Sequence, residues 1–273
     1  MTFSVFTRRP ITSYFLLTFA ISWTAAFGVV APKLVRGEPI PKLSGILMFP
    51  AMLMGPLVSS ILLTGLLEGA AGIRRLFTSI VRVRPGVRWY SVLLIPPAAV
   101  LGILFALKSF ASSDFSPNHF FAGVAFGIPA GVFEEIGWTG FAFPRMQARL
   151  GTLWAGTLLG LLWSAWHLPV IDFLGAASPH RTYLPLFFLS FMVAMTAMRV
   201  LIGWIYQNTQ SLLLTQLMHI SSTGALVIFG PFQVTPRQET VWYFAYGVAL
   251  WMVVAVVGAK FGHAPVPRIE NRL

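Results

Sequence analysis

The sequence predicts an all-α, polytopic membrane protein of about eight transmembrane helices around a polar intramembrane cavity, and three observations carry that prediction. Of the 273 residues, 56% are hydrophobic and only 10% are charged, too little polar surface for a water-soluble globule. Apolar runs of roughly 20 residues, the length that crosses a bilayer, recur along the chain. The runs are continuous rather than alternating at period two, which selects helices over barrel strands, because lipid leaves every backbone polar group to be satisfied within the protein. No soluble domain, low-complexity linker or convincing repeat interrupts the pattern, so residues 1–273 read as a single integral membrane domain.

Taken in order, the first run, 11–31, follows Arg8 and Arg9. A signal peptide also begins with basic residues, but this apolar part is longer than a signal core and no clear Ala-x-Ala site follows, so a retained helix is expected. The next runs are 44–66 and 89–109, joined by a basic stretch from Arg74 to Arg88 with Ile73, Leu76, Phe77, Ile80 and Val81 interleaved. This stretch reads as a connecting loop in preference to an amphipathic surface helix. The remaining runs are 119–142, 153–173, 184–206, 211–230 and 241–260. The seventh is the least continuous, because Gln216 and His219 interrupt it.

Charge sets the expected orientation. One alternate set of loops holds twelve basic residues: Arg8, Arg9, Arg74, Arg75, Arg82, Arg84, Arg88, Arg145, Arg149, Lys260, Arg268 and Arg272. The other holds six: Lys33, Arg36, Lys42, Lys108, Arg181 and Arg237; Arg199 falls inside the sixth run and belongs to neither. The positive-inside rule then puts both termini in the cytoplasm of a multi-pass cell-membrane protein. The net charge of +11 reflects this bias and contact with anionic lipid head groups, not a nucleic-acid footprint. The absence of cysteine excludes disulfides, thiolate metal sites and a cysteine nucleophile.

Three polar pairs inside the apolar runs carry the chemistry. Glu134 and Glu135, two of only eight acidic residues, stand side by side in the fourth run. Ionisable groups at that depth are costly and mark functional sites. Neighbours on a helix point about 100° apart, so the two carboxylates have different tasks. One faces a cavity and takes a proton from water; the other is held by hydrogen bonds, with Thr139 four residues after Glu135 as a donor. The alternative is a buried pair bonded to backbone or to an indole such as Trp138. In the fifth run Trp163 and His167 share a helix face, and an imidazole beside a carboxylate can polarise a water held between them. Pro169 is expected to loosen the helix just after the histidine. In the seventh run His219 and Thr223 place two donors on one face, as an oxyanion site requires, whereas Ser221 and Ser222 read as interhelical hydrogen-bonding residues. Measured from the connection at 144–151, Glu134 lies roughly 15 Å deep and His167 roughly 20 Å, with His219 roughly 12 Å into its own run from the same side. His167 is thus deeper than a shared site would want.

These residues resemble the CPBP group of intramembrane glutamate proteases, which includes CAAX prenyl endopeptidases of the Rce type and bacteriocin self-immunity proteins. The resemblance rests on Glu-Glu-Ile-Gly-Trp-Thr-Gly-Phe-Ala-Phe-Pro-Arg (134–145), Leu-Leu-Trp-Ser-Ala-Trp-His-Leu-Pro (161–169) and His-Ile-Ser-Ser-Thr (219–223). Three short motifs in order are more specific than any one. They place a motif-bearing core at about 119–230. The family implies a helical membrane endopeptidase with no cofactor and no catalytic metal. Glu134 and His167 would activate water, with Glu135 beside them, and His219 with Thr223 would stabilise the oxyanion. The substrate would be a membrane-associated peptide, with prenylated C-terminal peptides one class the resemblance implies. Three positions depart from the family's pattern: Thr139 stands where arginine is usual, Trp163 replaces phenylalanine and Thr223 replaces asparagine. Without the arginine, Glu135 is expected to be protonated. A zinc protease built on one carboxylate and two histidines, a non-catalytic scaffold or immunity protein using the same cavity, and a proton-coupled transporter are the competing readings.

Overall fold

The computed structural model describes residues 8–82 and 85–261, and among these every regular element is helical. The chain is an all-α polytopic membrane protein. Helix α1 (Pro10–Val35) is followed by α2 (Lys42–Met52) and α3 (Met54–Arg82), then by α4 (Ile95–Phe110), which a 3₁₀ turn over Val87–Leu94 introduces. The fourth run is built in pieces: α5 (Val124–Pro129), a π turn (Ala130–Glu134), the single α turn α6 (Glu135–Gly137) and a second π turn (Trp138–Ala142). After these come α7 (Phe143–Trp166), α8 (Leu184–Thr209), α9 (Leu212–Phe229) and α10 (Pro236–Phe261).

Six helical stretches among the described residues are long and apolar enough to cross a membrane: 10–35, 42–81, 87–110, 181–209, 212–229 and 236–259. The fourth and fifth expected runs are helical as well. The π turns divide the fourth, and α7 carries Arg145 and Arg149 before it breaks at Gly151 (φ 74°). Of the stretch from Arg74 to Arg88, expected to be a loop, residues 74–82 are helical, in a helix that runs on from a break at Gly69 (φ 64°). Leu76 is buried and Ile73 and Ile80 half-buried, while Phe77 and Val81 stay exposed; an apolar face at that spacing favours helix over loop. Arg84, Arg268 and Arg272 of the basic set lie outside the described residues.

The alternate loops gather at two ends. At one end Glu68 pairs with Arg75 (2.7 Å) and Arg145 (2.6 Å), and Thr152 hydrogen-bonds Gln147 and Gln207. At the other, Lys42 donates to the carbonyls of Gly175 and Ala176, and Gln238 donates to Asp114. The grouping is the one that the alternation of runs requires.

Glycine ridges let the helices approach closely, as small residues do in membranes. Gly127 and Gly131 lie against the backbone of α9 at Ile220 and Gln216, and Gly156 and Gly160 lie against Val200 and Thr196 of α8. A Cβ at Gly160 would come 2.6 Å from the Thr196 Cα, a clash that only backbone movement relieves. Gly160→Leu is therefore expected to destabilise the protein by about 1–3 kcal/mol or more, read as a lowered melting temperature in detergent; an unchanged melting temperature would refute this packing.

At the end opposite Glu68, His180 is fully buried and stacked on Phe187 with ring centroids 3.8 Å apart. Its Nδ1 lies 3.0 Å from Asp172 and its Nε2 3.1 Å from Glu239, whose carboxylate also accepts from the amides of Ala176 and Ala177. Burial disfavours the charged ring, but the two carboxylates outweigh it and raise the pKa above 6.5. A raised folded-state pKa gives stability that is complete below about pH 6.5 and lost as pH rises through the raised value. Melting temperature should therefore fall across that window in the wild type and fall less in His180→Gln; identical profiles would contradict it.

Candidate active site

The site begins with an irregularity of the fourth run. Pro129 has no N–H and its ring crowds the preceding turn, and the chain widens into the π turn that ends at Glu134. Such turns are frequent at functional sites. Gln216 of α9 donates to the carbonyl of Val132 (3.1 Å), which fastens the widened turn to the helix that carries His219. Gly137 lies against Pro56 of α3 and the hydroxyl of Tyr14 in α1, so both carboxylates are enclosed on every side.

Glu134 and Glu135 are both fully buried and do face different partners. Oε2 of Glu134 accepts from the indole N–H groups of Trp138 (3.0 Å) and Trp163 (2.7 Å). Its Oε1 is buried with no hydrogen-bond partner. Glu135 is bound by charge. Arg199 Nη1 lies 2.8 Å from its Oε1 and 2.9 Å from its Oε2; Thr139 donates to Oε2 and His219 Nδ1 lies 2.7 Å from Oε1. The expectation of a protonated Glu135 is corrected here, because a guanidinium on its carboxylate favours the ionised form.

His167 caps the C-terminal end of α7, so the helix stops short of the limit at 173 expected for the fifth run. Its Nδ1 is 2.8 Å from the carbonyl of Trp163. A carbonyl only accepts, so Nδ1 carries the proton and Nε2 keeps a lone pair. The ring packs on Trp163, Trp166, Phe49 and Phe191. The turn between the two runs lies at Gly151 rather than across 144–151, 17 residues after Glu134 and 16 before His167, and Glu134 meets Trp163, one turn before His167.

His219 joins the cluster through Glu135, and its ring meets Trp163 at 5.2 Å between centroids. Thr223 is half-buried, and none of the hydrogen bonds of the cluster runs to it. Ser221 bonds across helices to the carbonyl of Leu93 (2.6 Å). The polar residues expected around a cavity thus form a packed cluster in which His167, at 5% exposure, is the most accessible of the candidate histidines and glutamates.

Arg199 is the member that the reading of motifs passed over. It is fully buried in α8, and its guanidinium lies 4.4 Å from the centroid of the Trp163 ring. Arg145, by contrast, is occupied with Glu68 and the carbonyl of Phe141.

Residues 116–225 match the family described as type II CAAX prenyl endopeptidase, Rce1-like. The core of the chain is similar to that family. A stretch of 140 residues is also 29% identical to CAAX prenyl protease 2 of Methanococcus maripaludis, covering 46% of this chain and 51% of that protein. The match therefore spans about half the length of the curated relative. The matched range contains Glu134, Glu135, His167, Arg199, His219 and Thr223, the five residues singled out in the sequence and the one it missed.

Proposed function

We propose that this protein is an intramembrane endopeptidase in which Glu134 and His167 activate a water for attack on a peptide carbonyl. The observation that carries the reading is the divided carboxylate of Glu134: two indoles fix Oε2, while Oε1 is buried and unpartnered. A buried acceptor without a partner is costly, and a water or a reacting group would satisfy it. His167 adds a ring nitrogen with a free lone pair, the form that takes a proton. Its likeness to Rce1-like endopeptidases supports a peptide or protein substrate that reaches the site from the membrane, and prenylated C-terminal peptides are the class to try first. A peptide has to be extended to be cut.

His219 would stabilise the oxyanion. With Nδ1–H given to the Glu135 carboxylate, it is a donor at Nε2 only as the imidazolium, so this role requires the charged ring. No step requires a metal. Glu135 is bound to Arg199 and His219. The orientation proposed is the one with the Glu68–Arg145 end in the cytoplasm.

The test is cleavage of a peptide panel in nanodiscs, each sequence with and without a C-terminal prenyl group, in the presence and absence of a chelator. Cleavage that survives chelation is expected, faster for the prenylated members. Loss of cleavage on chelation with recovery on added zinc would replace this reading with the zinc protease.

A further inference from the structure

Arg199 is the only ionised side chain in α8, and a lone buried cation has to be compensated. Its Nη1 lies within 3 Å of both oxygens of Glu135. On its other side the guanidinium covers the face of Trp163, the indole whose N–H is bonded to Glu134. One side chain therefore touches both halves of the site: Glu135 directly, and Glu134 through the ring that holds it. A cation over an indole face is attracted by the ring quadrupole and draws electron density from it, which strengthens the N–H as a donor. Nε and Nη2 are buried without partners. The site thus uses the charge and the stacked plane of this group rather than its full set of donors.

We propose that Arg199 is a positioning residue of the active site, which supplies from α8 the charge that keeps Glu135 ionised and, through Trp163, sets the orientation of Glu134. Thr139 shows that the same oxygen can be reached from the other side. It stands one turn after Glu135 and donates to Oε2, so an arginine at 139 would bring a guanidinium to Glu135 from its own helix once the volume of Arg199 is removed. It would not lie over Trp163. The charge and the indole contact are thereby separable.

This inference rests on the proteolytic reading for its kinetic arm but not for its stability arm. In the kinetic arm, Arg199→Met should lower kcat by about 10²-fold through misplacement of Glu134 with KM little changed. Arg199→Lys should fall between Met and the wild type, and Thr139→Arg/Arg199→Met should recover part of the lost kcat. A folded Arg199→Met enzyme with the kcat of the wild type, or a double variant with no recovery, would overturn the proposal. In the stability arm, melting temperatures are compared for Arg199→Met, Glu135→Gln and their combination. The double variant should melt well above the sum of the two losses; additive losses would overturn the proposal. If the wild type shows no Glu134-dependent cleavage, the proteolytic reading fails while the stability arm still decides whether Arg199 compensates Glu135.

Discussion

Glu134→Gln is expected to leave the protein folded and to lower cleavage by about 10²–10⁴-fold, the range that a positioned general base contributes. The substitution is nearly isosteric, and its carbonyl oxygen can still accept from Trp138 and Trp163, which now donate to Oε2. What is lost is the capacity to take a proton. His167→Ala is expected to be as damaging to rate, since it removes the ring nitrogen that carries a lone pair, and more damaging to packing, because the imidazole is enclosed by Phe49, Trp163, Trp166 and Phe191. Rates measured on one peptide in nanodiscs, with circular dichroism as the folding control, check both. A Glu134→Gln enzyme with the rate of the wild type would remove Glu134 from the mechanism.

Glu135→Ala should behave differently from its neighbour. The change strands Arg199 and the His219 ring in the interior, and breaking a buried ion pair from one side costs about 3–5 kcal/mol, because the remaining charge has no partner. Glu134→Ala frees two indole N–H groups and no charge, so its loss of stability should be clearly smaller. Thermal melting of the two variants in one detergent decides the matter. Equal losses would mean that the Arg199 contact contributes little.

Much of this site was legible in the sequence because lipid makes polar residues conspicuous. Glu134, Glu135, His167 and His219 stand out in apolar runs, and the structure draws all four around Trp163 and Arg199. Arg199 stands out by the same criterion, as a single cation in the middle of its run. Short motifs do not reach it, because its partner lies 64 residues away on another helix. The indole donors of Trp163 and Trp138 were only half visible: their spacing marks the helix face, but a bond from Trp163 to Glu134 depends on how two runs meet. The π turns were not legible. Pro129 hinted at an irregularity, but a turn of that kind also depends on tertiary contacts such as the bond from Gln216 to Val132. Thr223 is a motif position that matches in spacing, while none of the hydrogen bonds of the cluster runs to it.

The fold was legible where apolar length alone decides it, and less so where breaks decide it. The eight runs locate the helices, yet Gly69 and Gly151 end or bend them through positive φ, which residue type permits without requiring. The position of Gly151 mattered most, because Glu134 and His167 lie 17 and 16 residues from it on either side.

The most direct test of the central claim, that Glu134 and His167 direct a water at the peptide carbonyl, is a single turnover in ¹⁸O-labelled water with an excess of enzyme. Attack by that water leaves one labelled oxygen in the new C-terminal carboxylate of the product and none in the enzyme. Label recovered in the side chain of Glu134 would show that the carboxylate itself attacks and that water enters only afterwards, which would contradict it.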